Sequence, residues 1–194
     1  MKVYIIVAYP NKKGLNYAAF EKARQGFQNA GHEIRTTNLY EERFNPTLTF
    51  DDEHRRRDMQ FDEETKAYRD NIIWADHLVF VFPIWWSGMP AILNGFIDRV
   101  FAKGFAYDYE GVRPVGHLKN KTAWIINTYD TSAIYAKLFQ QDYGRVLKKQ
   151  VLSMCGVKTL KHTSMPHTRN SSSEKRSKWL DEVESTAQHQ LRTK

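Results

Sequence analysis

The apolar run His77-Leu78-Val79-Phe80-Val81-Phe82 is followed at once by Pro83-Ile84-Trp85-Trp86-Ser87-Gly88-Met89-Pro90, and then by a helical pattern. An uninterrupted apolar strand is typical of the centre of a parallel sheet, because helices cover both faces of such a sheet. After Pro90, apolar side chains recur four positions apart in two adjacent stripes: Ile92, Phe96 and Val100, and Leu93, Ile97 and Phe101. This spacing is that of a helix packed against a sheet. The stretch therefore predicts a strand, a loop and a helix of an α/β fold.

Strand-like and helix-like stretches alternate on both sides of this unit. The five predicted strands cover residues 3–8, 32–39, 77–82, 122–127 and 157–160. The predicted helices cover residues 16–30, 62–74, 90–101 and 133–155, and a capping-box match, Ser171-x-x-Glu174, precedes a last helix. Such alternation indicates a parallel sheet with helices on both faces, in a single domain that spans residues 1–194.

The composition of each strand predicts its place in the sheet. The first, third and fourth strands are almost wholly apolar and belong at the centre, whereas the second and fifth are mixed and belong at the edges. The resulting strand order is 2-1-3-4-5. This is the flavodoxin-like, doubly wound arrangement of a five-stranded parallel sheet, with helices on both faces.

The composition also limits the class of protein. Of the 194 residues, 41% are hydrophobic and 26% are charged, as in globular domains. The single cysteine, Cys155, excludes an internal disulfide and favours a reducing, cytoplasmic location, and we expect it to be a small core residue. Residues 78–97 carry no charge, but Pro83, Gly88 and Pro90 interrupt them, so we predict no membrane-spanning helix.

The net charge of +7 is concentrated near the C-terminal end, where residues 145–194 carry 11 basic and 4 acidic side chains. A basic surface can bind nucleic acid. However, these lysines and arginines lie mainly in predicted helices, where a solvated helix face explains them, and they lack the interleaved aromatic side chains of a single-strand platform. We therefore predict no nucleic-acid partner. His162 and His167 have no partner at metal-ligand spacing, so we predict no metal site.

Three loops should meet where the winding of the sheet reverses, because ligands of such folds bind there, outside the carboxyl ends of the strands. They cover residues 9–16, 83–89 and 127–132. The first leads into a helix N-terminus, which favours a phosphate group. It contains neither G-x-G-x-x-G nor a P-loop, so an ordinary strand–helix turn is the alternative. In the second, Trp85 and Trp86 would stack on a planar aromatic ligand, or else pack in the core or a dimer interface.

Residues 74–101 resemble the NAD(P)H quinone dehydrogenase (DT-diaphorase) family. The resemblance extends to Gly104-Phe105-Ala106-Tyr107, to Asn16-Tyr17-Ala18, and to Leu39-Tyr40 with Phe44-Asn45-Pro46. It implies a shorter, bacterial-type oxidoreductase that binds a flavin non-covalently, FAD with FMN as the alternative. It also implies NADH or NADPH as electron donor, a quinone-like acceptor reduced by two-electron hydride transfer in ping-pong fashion, and a homodimer with the active site at its interface.

The resemblance implies roles for individual residues. The flavin's phosphate end would be held by Tyr9, Gly14, Leu15 and Asn16, and its ring by Pro83, Ile84, Trp85 and Trp86. The pyrimidine side of the ring would contact Asn127, Thr128, Tyr129 and Asp130. The acceptor pocket would be walled by Tyr107 and Tyr109 of the second subunit. Tyr135 would be catalytic, stabilising negative charge on the reduced flavin; alternatively it is a helix residue that packs on the sheet.

The sequence departs from the family pattern at several of these positions. Tyr9 replaces a histidine of the quinone dehydrogenases, Gly14 replaces a serine, and residues 127–130 replace a Thr-Thr-Gly-Gly loop. Gln141 stands where the family has a proton-relaying histidine, which leaves open whether that function is replaced. The alternative function is a flavodoxin-like electron carrier, or a regulatory subunit of an ion-efflux system with weak oxidoreductase activity.

Overall fold

The computed structural model describes residues 1–52, 55–138, 142 and 144–190. Its strands are β1 (Lys2–Val7), β2 (Glu33–Asn38), β3 (His77–Pro83), β4 (Tyr107–Glu110), β5 (Arg113–Gly116), β6 (Thr122–Thr128) and β7 (Lys158–Met165). Its α-helices are α1 (Leu15–Asn29), α2 (Glu63–Trp74), α3 (Ala91–Val100), α4 (Ala133–Leu138) and α5 (Ser173–Ser185). A 3₁₀ turn at Arg56–Phe61 and π-helical segments at Leu147–Leu152 and Thr186–Gln190 are also present.

Five parallel strands form the central sheet in the order β2-β1-β3-β6-β7. The three apolar strands lie at the centre and the two mixed strands at the edges, so the predicted flavodoxin-like order 2-1-3-4-5 is confirmed. Val7 pairs with Val81, and Pro83 with Thr128, so the central strands end close together. Their carboxyl ends therefore bring the loops after β1, β3 and β6 to one edge of the sheet.

Helices cover the sheet in two layers, because successive strand residues point to opposite faces. The layer that contains α1 and α5 packs on one face, where Val3, Ile5, Phe27 and Trp124 are buried. The layer that contains α2, α3 and the Leu147–Leu152 segment packs on the other, where Ile6, Phe80, Phe96 and Leu147 are buried. Among the helices of the described residues, none is both long enough and apolar enough to cross a bilayer.

Arg99 on α3 anchors the irregular segment between β2 and α2. Its buried guanidinium donates to the Asn45 carbonyl oxygen over 2.8 Å and to the carboxylates of Asp62 and Glu64 over 2.9 and 2.7 Å. Burial alone would raise the pKa of Asp62, but the bonds from Arg99, the Glu64 N–H and Thr65 hold that pKa below its ordinary value. The ion pairs therefore fix the start of α2, which Asp62 caps.

The predicted continuous helix over residues 133–155 is wrong. α4 ends at Leu138, and Gly144 has a φ of +83°, a left-handed conformation that interrupts a right-handed helix. A π-helical segment, Leu147–Leu152, follows. The apolar spacing on both sides of Gly144 is helical, so the spacing alone did not indicate the break.

The end of β7, the N-cap of α5 and the hairpin formed by β4 and β5 also differ from the prediction. β7 extends to Met165 rather than ending at residue 160, because its polar residues pair with β6 along the sheet edge. Ser172, not Ser171, is the N-cap of α5 and accepts from the Lys175 N–H, since the Ser171 hydroxyl donates to the Thr168 carbonyl oxygen over 2.7 Å. The antiparallel hairpin β4–β5 was not predicted, because its four-residue strands lack a clear alternating pattern.

Candidate functional site

The three predicted loops meet at the carboxyl edge of the sheet, and Thr128 joins them. Asn16 donates from Nδ2 to the Thr128 hydroxyl over 2.8 Å, which links the start of α1 to the end of β6. The Ile84 N–H donates to the Thr128 carbonyl oxygen, also over 2.8 Å, which links β6 to the loop after β3. The prediction that these loops lie together is confirmed.

The loop after β1 presents a helix N-terminus with an unusual neighbour. Gly14 precedes α1 in an extended conformation (φ −93°), and a Cβ atom there would lie only 2.2 Å from the Tyr9 hydroxyl oxygen. A larger residue at this position would therefore require the Tyr9 side chain to move. The first N–H groups of α1 have no intrahelical acceptors, so they remain suited to an anion.

Asn16, in the first turn of α1, carries a buried atom that needs a partner. The residue is 3% exposed, and its Oδ1 has no hydrogen-bond partner among the described residues, whereas Nδ2 is used by Thr128. Buried polar atoms in folded proteins are almost always paired, so an exception calls for an explanation. A ligand that donates an O–H or N–H group to this carbonyl oxygen supplies one.

The loop after β3 turns sharply at the tryptophan pair. Trp85 and Gly88 each donate a backbone N–H to the other's carbonyl oxygen over 3.0 Å, closing a two-residue turn. Trp86 and Ser87, inside the turn, both have positive φ values of 51° and 64°. Such conformations are strained for residues other than glycine and cluster at functional sites.

The turn places the Trp86 side chain fully in solvent, with a relative exposure of 102%, whereas Trp85 is 41% exposed. The alternative in which both tryptophans pack in the core of this chain is therefore wrong. That Trp86 faces a flavin ring remains a prediction.

The loop after β6 is fixed by polar contacts to β7 and the segment that follows it. Asn127 is buried and donates from Nδ2 to Nε2 of His162 over 2.9 Å. Tyr129 pairs through its backbone N–H with the Met165 carbonyl oxygen over 3.0 Å. Asp130 accepts from the Arg169 N–H over 2.7 Å, so its carboxylate serves first to hold this neighbouring loop.

His162 was considered in the sequence only as a metal ligand, and its contact with Asn127 was missed. Burial, together with the positive charges of Lys148 and Arg145, lowers the pKa of His162 to about 4. The ring is therefore neutral at neutral pH. Across the described part of the chain, no group of three or more His, Cys, Asp or Glu side chains could hold a metal ion.

The tyrosines predicted to contact substrate lie outside the three loops. Tyr107 and Tyr109 on β4 contact each other edge to face, with ring centroids 5.8 Å apart. Tyr107 also lines a cavity of about 310 Å³ between α3 and the segment that ends at Cys155. Cys155 itself is buried, as predicted, and burial raises the pKa of its thiol to about 12.

Tyr135 lies on α4, directly after the loop of residues 127–132. It is half exposed, and its neighbours Ile134 and Leu138 are also exposed. The catalytic role of Tyr135 stays a prediction. Gln141, where the quinone dehydrogenases have a histidine, lies outside the described residues.

The profile of a family described by its flavodoxin-like fold matches residues 1–189. The chain belongs to this flavodoxin-like family. It is 32% identical over 163 residues to an uncharacterized NAD(P)H oxidoreductase of Haemophilus influenzae, a match that covers 82% of this chain and 81% of that protein. It is 31% identical over 187 residues to the NAD(P)H dehydrogenase (quinone) 1 of Cavia porcellus, covering 82% and 66%.

A solved structure shares the fold of this chain over nearly its whole length. The crystal structure of Smu.1420 from Streptococcus mutans has a TM-score of 0.93 and 44% sequence identity, and the match covers 97% of this chain and 99% of that one. Together these relatives confirm the resemblance to NAD(P)H quinone dehydrogenases that the sequence motifs indicate.

Proposed function

We propose that this protein is a flavin-dependent NAD(P)H oxidoreductase that reduces quinones or similar small acceptors. Two relatives are named for NAD(P)H oxidation, and one of them for quinone reduction. The observation that carries the proposal is the presence, on loops joined by Thr128, of a fully exposed aromatic ring and a buried amide oxygen without a partner. These are Trp86 and Oδ1 of Asn16.

The residues at the carboxyl edge fit a flavin. A flavin carries an anionic phosphate, a hydroxyl-bearing ribityl chain and a planar ring. The N-terminus of α1 suits the phosphate, the buried Oδ1 of Asn16 suits a hydroxyl donor, and the face of Trp86 suits the ring. FAD is our first choice of cofactor and FMN the alternative.

The residues that would hold the flavin follow the three loops: Tyr9, Gly14, Leu15 and Asn16 at the phosphate end, Pro83, Ile84, Trp85 and Trp86 along the ring, and Asn127, Thr128, Tyr129 and Asp130 at the pyrimidine side. When bound, the flavin supplies the hydride-transfer chemistry, with NADH or NADPH as donor. The chain's own contribution is then positioning and electrostatics.

Several side chains would perform these tasks. Through its two hydrogen bonds, Thr128 fixes the position of the loop after β1, which would hold the phosphate, relative to the loop after β3, which would hold the ring. Tyr135, half exposed beside the crevice, would stabilise negative charge with its hydroxyl group. In a cytoplasmic homodimer, Tyr107 and Tyr109 of each hairpin would wall the acceptor pocket of the other subunit. Donor and acceptor would then use one pocket in turn, in ping-pong fashion.

The proposal is tested with the purified protein. After incubation with FAD and, separately, FMN, we expect a yellow protein with about one flavin per chain. We also expect quinone-dependent NAD(P)H oxidation with parallel double-reciprocal lines. A preparation that stays colourless with both flavins overturns the proposal. A flavoprotein whose reduced flavin persists when quinones are added is an electron carrier instead.

A further inference from the structure

Asn127, which is fully buried, and His162, which is partly buried, form a pair beside the proposed flavin site. His162 pairs with Ile125 in the β6–β7 register and Ser164 pairs with Asn127, so these side chains lie on one face of the sheet. Nδ2 of Asn127 lies 2.9 Å from Nε2 of His162, and the Ser164 hydroxyl lies 3.4 Å from the same nitrogen. Asn127 directly precedes Thr128, where the three loops join, so the pair lies next to that junction.

The backbone of Gly144 covers this pair. Gly144 has a φ of +83°, and a Cβ there would lie 3.0 Å from Nδ2 of Asn127 and 3.1 Å from Cε1 of His162. A side chain at this position would push against both groups. The turn that breaks the predicted helix over residues 133–155 thus encloses the amide and the imidazole together.

The protonation of the ring determines the direction of the hydrogen bond. Burial and the positive charges of Lys148 and Arg145 keep His162 neutral, as its low pKa indicates. A neutral imidazole has one nitrogen that accepts and one that donates. Because the Asn127 amide donates through Nδ2, Nε2 is the acceptor and the ring proton lies on Nδ1. Rotating the carboxamide by half a turn would break this bond unless the ring proton moved to Nε2.

We infer that His162 is a positioning residue of the flavin site: by accepting from Nδ2, it fixes the position and plane of the Asn127 carboxamide beside the pyrimidine edge of the flavin. This inference rests on the proposed function. It assigns a role to a histidine on an edge strand, outside the three loops. An acceptor at this position suffices for the role, and no proton transfer by His162 is involved.

The test compares two substitutions that differ in the acceptor. In His162→Gln, the amide oxygen can occupy the place of Nε2 and accept from Asn127, whereas His162→Leu fills the space without an acceptor. For H162L we expect flavin binding weakened about fivefold or more, as for one lost hydrogen bond, and a shifted midpoint potential of the bound flavin. For H162Q we expect both quantities to stay close to wild type.

His77 provides the matched control. Its pKa is likewise lowered to about 4, but it is fully buried and begins β3 at the opposite, amino-terminal end of the central strands, where Nδ1 contacts the Thr122 hydroxyl. His77→Leu should lower the stability of the apo-protein and leave flavin affinity and potential unchanged. If H162L does not fold, His162→Asn, whose shorter amide cannot reach Asn127, is judged by the same criteria.

A double substitution locates the effect at Asn127. In an Asn127→Ala background, H162L should cause no further change in flavin affinity or potential, because the group that it positions is gone. Wild-type affinity and potential in H162L, or the same change with and without Asn127, would overturn the inference alone. A wild-type protein that binds neither FAD nor FMN would overturn the proposed function and this inference with it.

Discussion

The Asn16 carboxamide donates to the Thr128 hydroxyl over 2.8 Å and joins loops that are 112 residues apart in the chain. The same contact leaves Oδ1 of Asn16 buried without a partner among the described residues. A buried unsatisfied polar atom costs about 1–3 kcal/mol. A ligand that donates to Oδ1 would complete the hydrogen bonding of this amide, and this suggests a way to separate binding from stability.

Replacing both Asn16 and Thr128 with apolar side chains should separate the effect on flavin affinity from the effect on the stability of the apo-protein. In the Asn16→Leu/Thr128→Val double variant, one hydrogen bond and one unsatisfied oxygen disappear together, so we expect apo stability within about 1 kcal/mol of wild type. Flavin affinity should fall at least about tenfold. Urea unfolding of the apo-protein and fluorescence titration with flavin measure the two effects. Thr128→Val alone is the control, because it leaves both polar atoms of the Asn16 amide unpaired and should be the less stable protein.

The two tryptophans Trp86 and Trp124 should respond oppositely to truncation. Trp86 is fully exposed, so Trp86→Ala should change apo stability by less than about 0.5 kcal/mol while weakening flavin binding. Trp124 is fully buried and donates to the Thr163 hydroxyl, so Trp124→Ala should cost about 3–5 kcal/mol. A large loss of apo stability in W86A, with unchanged flavin affinity, would show that the turn is structural.

The sequence predicted the sheet well because burial and strand composition are directly linked. The apolar runs of β1, β3 and β6 required cover on both faces, which determined the strand order and therefore the edge at which the loops meet. Trp86 could be placed outside the core for the same reason, since it follows the end of a buried strand.

Other features depended on contacts that no local pattern records. The break at Gly144 depends on how its backbone packs on Asn127 and His162, residues that are distant in sequence. The bond between His162 and Asn127 depends on the β6–β7 register. A polar residue on an edge strand carries little periodic signal, so only the tertiary structure showed that His162 lies beside the candidate site.

Arg99 should be a principal source of stability for the segment before α2. Arg99→Leu removes the donor to the Asn45 carbonyl oxygen and leaves the carboxylates of Asp62 and Glu64 without their cation. We expect a loss of about 3 kcal/mol in the free energy of unfolding. Arg99→Lys keeps the charge but cannot make all three bonds, so its loss should be about half as large. Equal stability of R99L and wild type in urea would show that these contacts of Arg99 do not stabilise the segment before α2.

Acid should destabilise the protein through His77 and His162, the two histidines whose pKa values are lowered to about 4. Burial lowers the pKa of His77 to about 4, with the nearby His32 contributing in the same direction, while an unfolded histidine titrates near pH 6.5. A depressed folded-state pKa favours the neutral form. The stability it contributes is therefore present above about pH 6.5 and is lost as the pH falls towards 4. Each such histidine contributes a slope of at most about 1.4 kcal/mol per pH unit.

The variant His77→Gln tests this dependence, because glutamine does not titrate and keeps a polar amide near the Thr122 hydroxyl, which His77 contacts through Nδ1. Urea unfolding of the apo-protein between about pH 7 and pH 5 should give a shallower fall in stability for H77Q than for wild type. The residual slope should reflect His162, whose pKa is lowered to a similar value, and should flatten further in H77Q/H162Q. Parallel profiles for wild type and H77Q would mean that His77 becomes protonated without loss of the fold.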